Sequence, residues 1–223
     1  YREAGVWAAY VRDGRTAIFE ALGPLADDIR WHVALSAAAG IAGYQRGMFP
    51  LHASGVRYPT GVVAFVGRTG AGKSSLSAAL VQRGISLLSD DLCLLKPDGR
   101  GGYVSGPGAP EIRLRDDAMV SLDWDWTIGE ADRTTRQLMA RVPRSVDDQD
   151  IPVRAIVALE FGNGPSRLDR LSDAQPLNVL AGAIRLRMGL HRFPPGRRLQ
   201  AFALTSAIAR TIPVYRLTRP RDY

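Results

Sequence analysis

The sequence predicts an α/β fold: a mixed sheet with flanking helices, built around a phosphate-binding loop. Three observations predict it. The run Gly67-Arg68-Thr69-Gly70-Ala71-Gly72-Lys73-Ser74 fits G-x-x-x-x-G-K-[ST] at every fixed position. The apolar run Gly61 to Val66 precedes it, and the helix-forming Ser75 to Val81 follows it. Strand-like and helical stretches then alternate along the rest of the chain, the pattern of an α/β domain. Glycines let backbone N–H groups wrap a phosphate, and a helix N-terminus adds partial positive charge. In such a loop Lys73 reaches the β/γ-phosphates and the Ser74 hydroxyl ligates Mg²⁺.

The elements follow in order. Residues 5–20 alternate apolar and polar about Asp13-Gly14, a hairpin-turn dipeptide. Leu25 to Gln45 is Ala-rich with helical spacing and has Asp27 and Asp28 in its first turn. Phe49 to Val56 and Val62 to Val66 read as two strands joined by Arg57-Tyr58-Pro59-Thr60-Gly61. The helix after the loop closes at Gly84. Ile85 to Leu88 is a short strand ending in Ser89-Asp90-Asp91, and Leu92 to Leu95 is a strand stopped by Pro97-Asp98-Gly99. Residues 100–110 read as loop, and 121–150 show little periodicity, with Asp147 to Asp150 as an exposed turn. Val153 to Phe161 is a buried strand, Ser172 to Leu190 and Leu199 to Arg210 are helices, and Val214 to Leu217 is a final strand. Neither an internal repeat nor a low-complexity linker interrupts the chain. One domain over 1–223 is expected, with a hairpin and helix in 1–47 and the loop core with an Arg-rich end in 48–223.

Composition narrows the partners. The 223 residues are 46% hydrophobic and 23% charged, ordinary for a globular protein. Cys93 is the single cysteine, so an intrachain disulfide and a cysteine-based zinc site are both ruled out, which suits a reducing cytoplasm. No apolar stretch reaches the roughly 20 residues of a membrane span, so no membrane partner is expected. The chain opens on Tyr1 rather than Met, which leaves a preceding segment open. Residues 1–150 carry 17 Lys+Arg against 18 Asp+Glu, whereas 151–223 carry 12 Arg against 4 acids. The net +7 therefore belongs to the last third, as a field for phosphates or an acidic peptide, or as a solvated arginine face. Aromatic residues do not alternate with those arginines as single-strand binding needs, so nucleic acid is not an expected partner.

The chemistry after the loop centres on Asp90-Asp91, 17 positions beyond Lys73. One helix and one short strand fill the interval and return the pair toward the phosphates. Neighbouring carboxylates at a strand end point in different directions. One can hold Mg²⁺ while the other faces an incoming hydroxyl, the division that phosphoryl transfer needs. A metal-binding pair without a base, or a solvated turn, remains the alternative. His52, on the strand before the loop, is a structural histidine or a catalytic one.

Together these residues resemble the catalytic domain of the HPr kinase/phosphorylase family. The likeness rests on Leu51-His52-Ala53-Ser54-Gly55-Val56, the loop, and Arg83 to Asp91, and it covers residues 48–96. It implies a P-loop-containing mixed sheet of the HPr kinase/phosphoenolpyruvate carboxykinase type, and a serine kinase using ATP and Mg²⁺. By that resemblance Asp90 is the base, assisted by His52, while Ser74 and Asp91 serve the metal and Lys73 the phosphates. The nucleotide set runs over Gly67, Arg68, Thr69, Gly70, Ala71, Gly72, Lys73, Ser74 and Ser75. Pro110-Glu111-Ile112-Arg113-Leu114 is similar to the start of a family signature, which implies Glu111 on the metal and Arg113 on the transferred phosphate. Arg113 lacks the glycine that follows it in that signature, and a surface Glu and Arg would look the same. Pro194-Pro195-Gly196-Arg197-Arg198 is read as a loop first and a phosphate contact second.

The expected acceptor is a serine hydroxyl of a peptide or small protein. The chain looks closer to the shorter HPr-kinase-like enzymes, which include those that phosphorylate the C-terminal serine of lasso-peptide precursors, than to the full-length enzymes of the family. A homo-oligomer is in keeping with the family. A small-molecule kinase and a nucleotide-dependent switch with slow ATP hydrolysis stand as alternatives.

Overall fold

The computed structural model describes residues 2–3, 7–21, 28–124, 137–142, 149–184 and 195–221. The chain opens with a three-stranded antiparallel sheet: β1 (Arg2–Glu3), β2 (Trp7–Arg12) and β3 (Thr16–Ala21). Its hairpin turns at Asp13 and Gly14, both at positive φ, as the Asp-Gly dipeptide predicts. Helix α1 (Asp28–Gln45) packs Ala34, Ala37 and Ala38 against that sheet. At its end the Gln45 side chain accepts from Gly14 N–H at 2.6 Å and donates to Val11 O at 2.9 Å, pinning the hairpin. Ile41 and Tyr44 of the same helix enter the main core.

That core is built on a mixed, curled sheet of nine strands. Its strands are β4 (Phe49–Leu51), β5 (Ser54–Tyr58), β6 (Gly61–Val66), β7 (Ser86–Ser89), β8 (Cys93–Pro97), β9 (Tyr103–Ser105), β12 (Ile151–Phe161), β13 (Arg167–Arg170) and β14 (Val214–Arg219). The remaining pair, β10 (Glu111–Arg115) and β11 (Gln137–Arg141), forms a small antiparallel sheet of its own. The long strand β12 organises the whole. It lies parallel to β6 on one side, and along its other edge pairs first with β9 and then, in parallel, with β14. Handing one edge from an antiparallel to a parallel neighbour curls the sheet.

Both faces are covered. Val62, Ala64 and Val66 of β6 face the main core with Leu180 of α4 (Gln175–Gly182) and Ile208 of α5 (Pro195–Thr211). Phe65 faces the other side, toward Leu76 and Leu80 of α2 (Lys73–Gln82). Burial on both faces is what the unbroken apolar run Val62–Val66 requires. Ala78 and Val81 of α2 also meet Ile112, Leu114 and Ala140, so the small sheet caps that helix. A fully buried side chain of the size of Leu87 or Leu114 contributes about 1.5–3 kcal/mol.

Several expectations need correcting. The run Phe49–Val56 is two strands rather than one, broken at His52 and Ala53. The His52 N–H leaves the ladder and donates to Ala183 O at 2.7 Å. The helix expected over 172–190 ends at Gly182, because Ile184 bridges back to Leu51; residues 185–190 lie outside the described ones. Pro195 to Arg198, expected as loop, form the first turn of α5, where Pro195 is tolerated because it lacks a donor that would go unused; Pro194 lies outside the described residues. The Gly-rich stretch 100–110 encloses the short strand β9. Glu111 to Arg115, for which no element was expected, is a strand followed by the short helix α3 (Asp116–Ser121). Of the acidic turn expected at 147–150 only Gln149 and Asp150 are described, Asp150 pairing with Lys96 at 2.6 Å. Asp125 and Trp126 lie outside the described residues, as do Leu25 to Asp27 of the helix expected from Leu25, which is described from Asp28 onward.

Among the described residues no helix is long and apolar enough to cross a membrane.

Candidate active site

The three parallel strands β6, β12 and β14 all end on the same side, at Val66, Phe161 and Arg219. In α/β sheets that side gathers ligands. The loop 67–72 leaves β6 there and turns into α2. Gly67, Gly70 and Gly72 have φ of 151°, 82° and 81°, conformations that side chains resist. A Cβ at Gly67 would also stand 2.9 Å from Leu159 O, so this position needs glycine on two grounds. Gly72 caps α2 without a side-chain hydrogen bond, and a helix start leaves backbone N–H groups without intrahelical partners. Arg68, Thr69 and Gly70 form the exposed tip, while Ala71 and Lys73 are buried. The Lys73 ammonium turns back into the curl, donating to Gly67 O at 3.1 Å and Arg68 O at 3.5 Å.

Asp90 and Asp91 follow β7, and both are buried, at 8% and 4% exposure. Asp91 adopts φ 75°, a left-handed corner that aspartate accepts better than most residues. Ser74 Oγ donates to the Asp90 carboxylate, 3.0 and 3.1 Å from its two oxygens. Arg113 N–H also donates to Asp90, at 3.0 Å. Asp91 faces a different set. Arg113 Nη2 stands 2.8 Å from Asp91 Oδ1, His52 Nδ1 3.2 Å from the same oxygen, and Ser36 Oγ donates to Oδ2 at 2.7 Å. His52 Nδ1 is also 3.0 Å from Asp91 O. Two acceptors at Nδ1 place a proton on that nitrogen, and in the neutral form of the ring this leaves Nε2 as the acceptor.

One connected series therefore runs Ser74–Asp90–Arg113–Asp91–His52. Its pairing differs from the expected one, which grouped Ser74 with Asp91 and His52 with Asp90. The left-handed turn at Asp91 is the reason: it swings the second carboxylate away from α2 toward β4 and α1. Arg113 joins the two carboxylates, by its backbone to one and its side chain to the other, and its Nε has no hydrogen-bond partner among the described residues. Glu111 lies on the Arg113 side of β10, opposite the buried Ile112 and Leu114, and is paired in register with Arg141. Ser75 is half-buried in the first turn of α2.

Behind the pair, Cys93 is fully buried. Burial first, and the Asp90 charge second, push its thiol up to about 12. It is a neutral wall of the site. Ser36 and Arg219 escaped sequence reasoning. A lone serine in an alanine-rich helix carries no signal, and Arg219 is one of many arginines near the end of the chain. Its guanidinium nevertheless reaches the loop, donating to Ala71 O at 3.0 Å.

Among the described residues no group of three or more His, Cys, Asp or Glu side chains could hold a metal. Ser74 and Asp90 together offer hydroxyl and carboxylate oxygens, the donor type for Mg²⁺, which commonly completes its shell with water and substrate phosphates.

No protein-family model matches the chain, and no curated protein matches it. Among solved structures the Hpr(Ser) kinase/phosphatase from Coxiella burnetii is similar at 15% identity, over 78% of this chain and 86% of that one, with a TM-score of 0.37. A likeness that loose says nothing of chemistry.

Proposed function

We propose that the protein is an ATP- and Mg²⁺-dependent kinase that phosphorylates a serine hydroxyl of a peptide or small protein. One observation carries this reading: Ser74, the last residue of the Gly67–Ser74 motif, is bonded to Asp90, whose neighbour Asp91 is bonded to His52. On this reading a cation position at Ser74 and Asp90 is linked to a proton acceptor at His52 through the adjacent residues Asp90 and Asp91. The order of these residues, with its resemblance to the HPr kinase/phosphorylase family, supports the same reading.

The loop N–H groups and Lys73 hold the β- and γ-phosphates. Ser74 and Asp90 hold Mg²⁺, which offsets charge on the phosphoryl oxygens when bound. His52 takes the serine proton at Nε2, and Asp91 fixes its tautomer and orientation from behind, the logic by which a carboxylate orients a histidine base. Arg113 neutralises Asp91 and keeps the two carboxylates apart in role. This assignment gives Asp90 the metal part that the family resemblance gives Asp91, and moves the base from Asp90 to His52. Glu111 and Ser75 would support the metal and phosphates from the edge of the site. An acidic peptide end suits the arginines of residues 151–223, since guanidinium recognises carboxylate with paired hydrogen bonds.

The test is transfer of labelled γ-phosphate to serine peptides, including ones ending in serine, with hydroxylated metabolites as controls. Asp90→Asn should lower transfer about 10²–10³-fold and remove the Mg²⁺ dependence of nucleotide binding. His52→Asn should lower transfer about 10²–10⁴-fold and leave that dependence intact. Full transfer by both variants would sink the reading. Transfer that survives His52→Asn and disappears in Asp90→Asn, with Mg²⁺-linked binding unchanged, would return the base to Asp90.

A further inference from the structure

We infer that Arg219 is a positioning residue for the loop 67–74, acting by holding the Ala71–Gly72 peptide so that its N–H faces the anion. The inference rests on the phosphate-loop reading above. Arg219 is the last residue of β14 and is 9% exposed, rare burial for an arginine. It is the register partner of Phe161, the last residue of β12, and its guanidinium carbon stands 4.8 Å from the Phe161 ring centroid. Stacking on an aromatic face fixes the plane of a guanidinium. From that plane Nη2 donates to Ala71 O at 3.0 Å.

The consequence is geometric. A trans peptide is planar, with its C=O and N–H pointing in opposite directions. Holding the Ala71 carbonyl toward Arg219 turns the Gly72 N–H away from it. The other side of Ala71 is fixed as well, because its own N–H donates to Arg68 O at 3.0 Å. With Gly72 at φ 81°, a rotation of this peptide is otherwise cheap, since glycine lacks the Cβ that would resist it. Arg219 also sets a permanent positive charge behind the loop, where burial weakens solvent screening. A lysine could supply the charge but not the stacked plane.

The test is titration of the full chain with ATP and, separately, with inorganic tripolyphosphate, which lacks base and ribose. Arg219→Met should weaken both ligands about 10–100-fold, the scale of one lost charge-assisted hydrogen bond. Arg219→Lys should fall between that variant and the unchanged protein. Methylguanidine added to Arg219→Ala should restore part of the affinity, a response not expected of a side chain that only fills space. Arg219→Met that folds by circular dichroism and binds both ligands as tightly as the unchanged protein would overturn the inference. If Arg219→Met does not fold, Phe161→Leu decides, since that ring is one-third exposed and tolerates truncation: a several-fold loss for both ligands supports the inference, and unchanged affinity overturns it. Failure of the unchanged protein to bind either ligand would remove the phosphate-loop reading itself, and this inference with it.

Discussion

Replacing Arg113 with methionine tests how the two carboxylates are held. The change deletes the Nη2–Asp91 contact at 2.8 Å but keeps the backbone N–H that serves Asp90. The side chains are 16% and 2% exposed, so this is a buried pair and solvent screens it little. Removing one partner of such a pair costs about 3–5 kcal/mol, because the other charge is left uncompensated. Asp91 would still accept from Ser36 and face His52, which places the expected cost at the lower end, about 3 kcal/mol. For a chain of this size that lowers the melting temperature by about 6–12 °C. The double variant Asp91→Asn/Arg113→Met leaves no stranded charge. Its cost should fall short of the sum of the single ones by about 1–3 kcal/mol. The assay is urea and thermal unfolding of the four proteins, with Mg²⁺-linked nucleotide binding alongside. Binding should persist in Arg113→Met, because the Ser74–Asp90 contact is untouched. A melting temperature within about 2 °C of the unchanged protein, together with additive costs, would refute the reasoning.

Other changes probe single features. Gly72→Ala forces a Cβ onto φ 81°, costing about 1–2 kcal/mol, and should abolish tripolyphosphate binding; a calorimetric titration reads this directly. Ser36→Ala removes the hydroxyl that donates to Asp91 and should cost about 1 kcal/mol in urea unfolding, with no loss of nucleotide affinity. Cys93 should resist iodoacetamide at pH 8 until the chain unfolds, since its thiol is raised from 9.0 to about 12. For a group raised in the folded state, the stability it contributes is complete below its unfolded value and is lost as the pH climbs. The window for Cys93 is therefore pH 9 to 12, measured as a falling urea midpoint across that range.

Local signals were strong where one stretch of chain decides its own conformation. The Asp13-Gly14 hairpin, the strand–loop–helix at 61–82 and the buried strand ending at Phe161 are of this kind. The residues of the Ser74–Asp90–Arg113–Asp91–His52 series were legible as types and as an order. How they pair was not, because it depends on a single backbone torsion at Asp91 and on where β4 breaks. Periodicity could not show that break, since Leu51 and Val56 are both apolar and the interruption between them is set by Ala183, over a hundred residues away. The small β10–β11 sheet was missed for a related reason: its inward residues Ile112 and Leu114 are separated by charged ones that look like a surface loop until α2 is placed beneath them. Ser36 and Arg219 are reached only through tertiary contacts.

Two separate demands meet at position 91. The corner there turns left-handed, which glycine, asparagine and aspartate tolerate best. The cluster around it, with a guanidinium, an imidazole and a hydroxyl converging, wants a negative charge. Of those three amino acids only aspartate satisfies both, so glutamate, one methylene longer and chemically equivalent in solution, is the substitution this site should tolerate poorly.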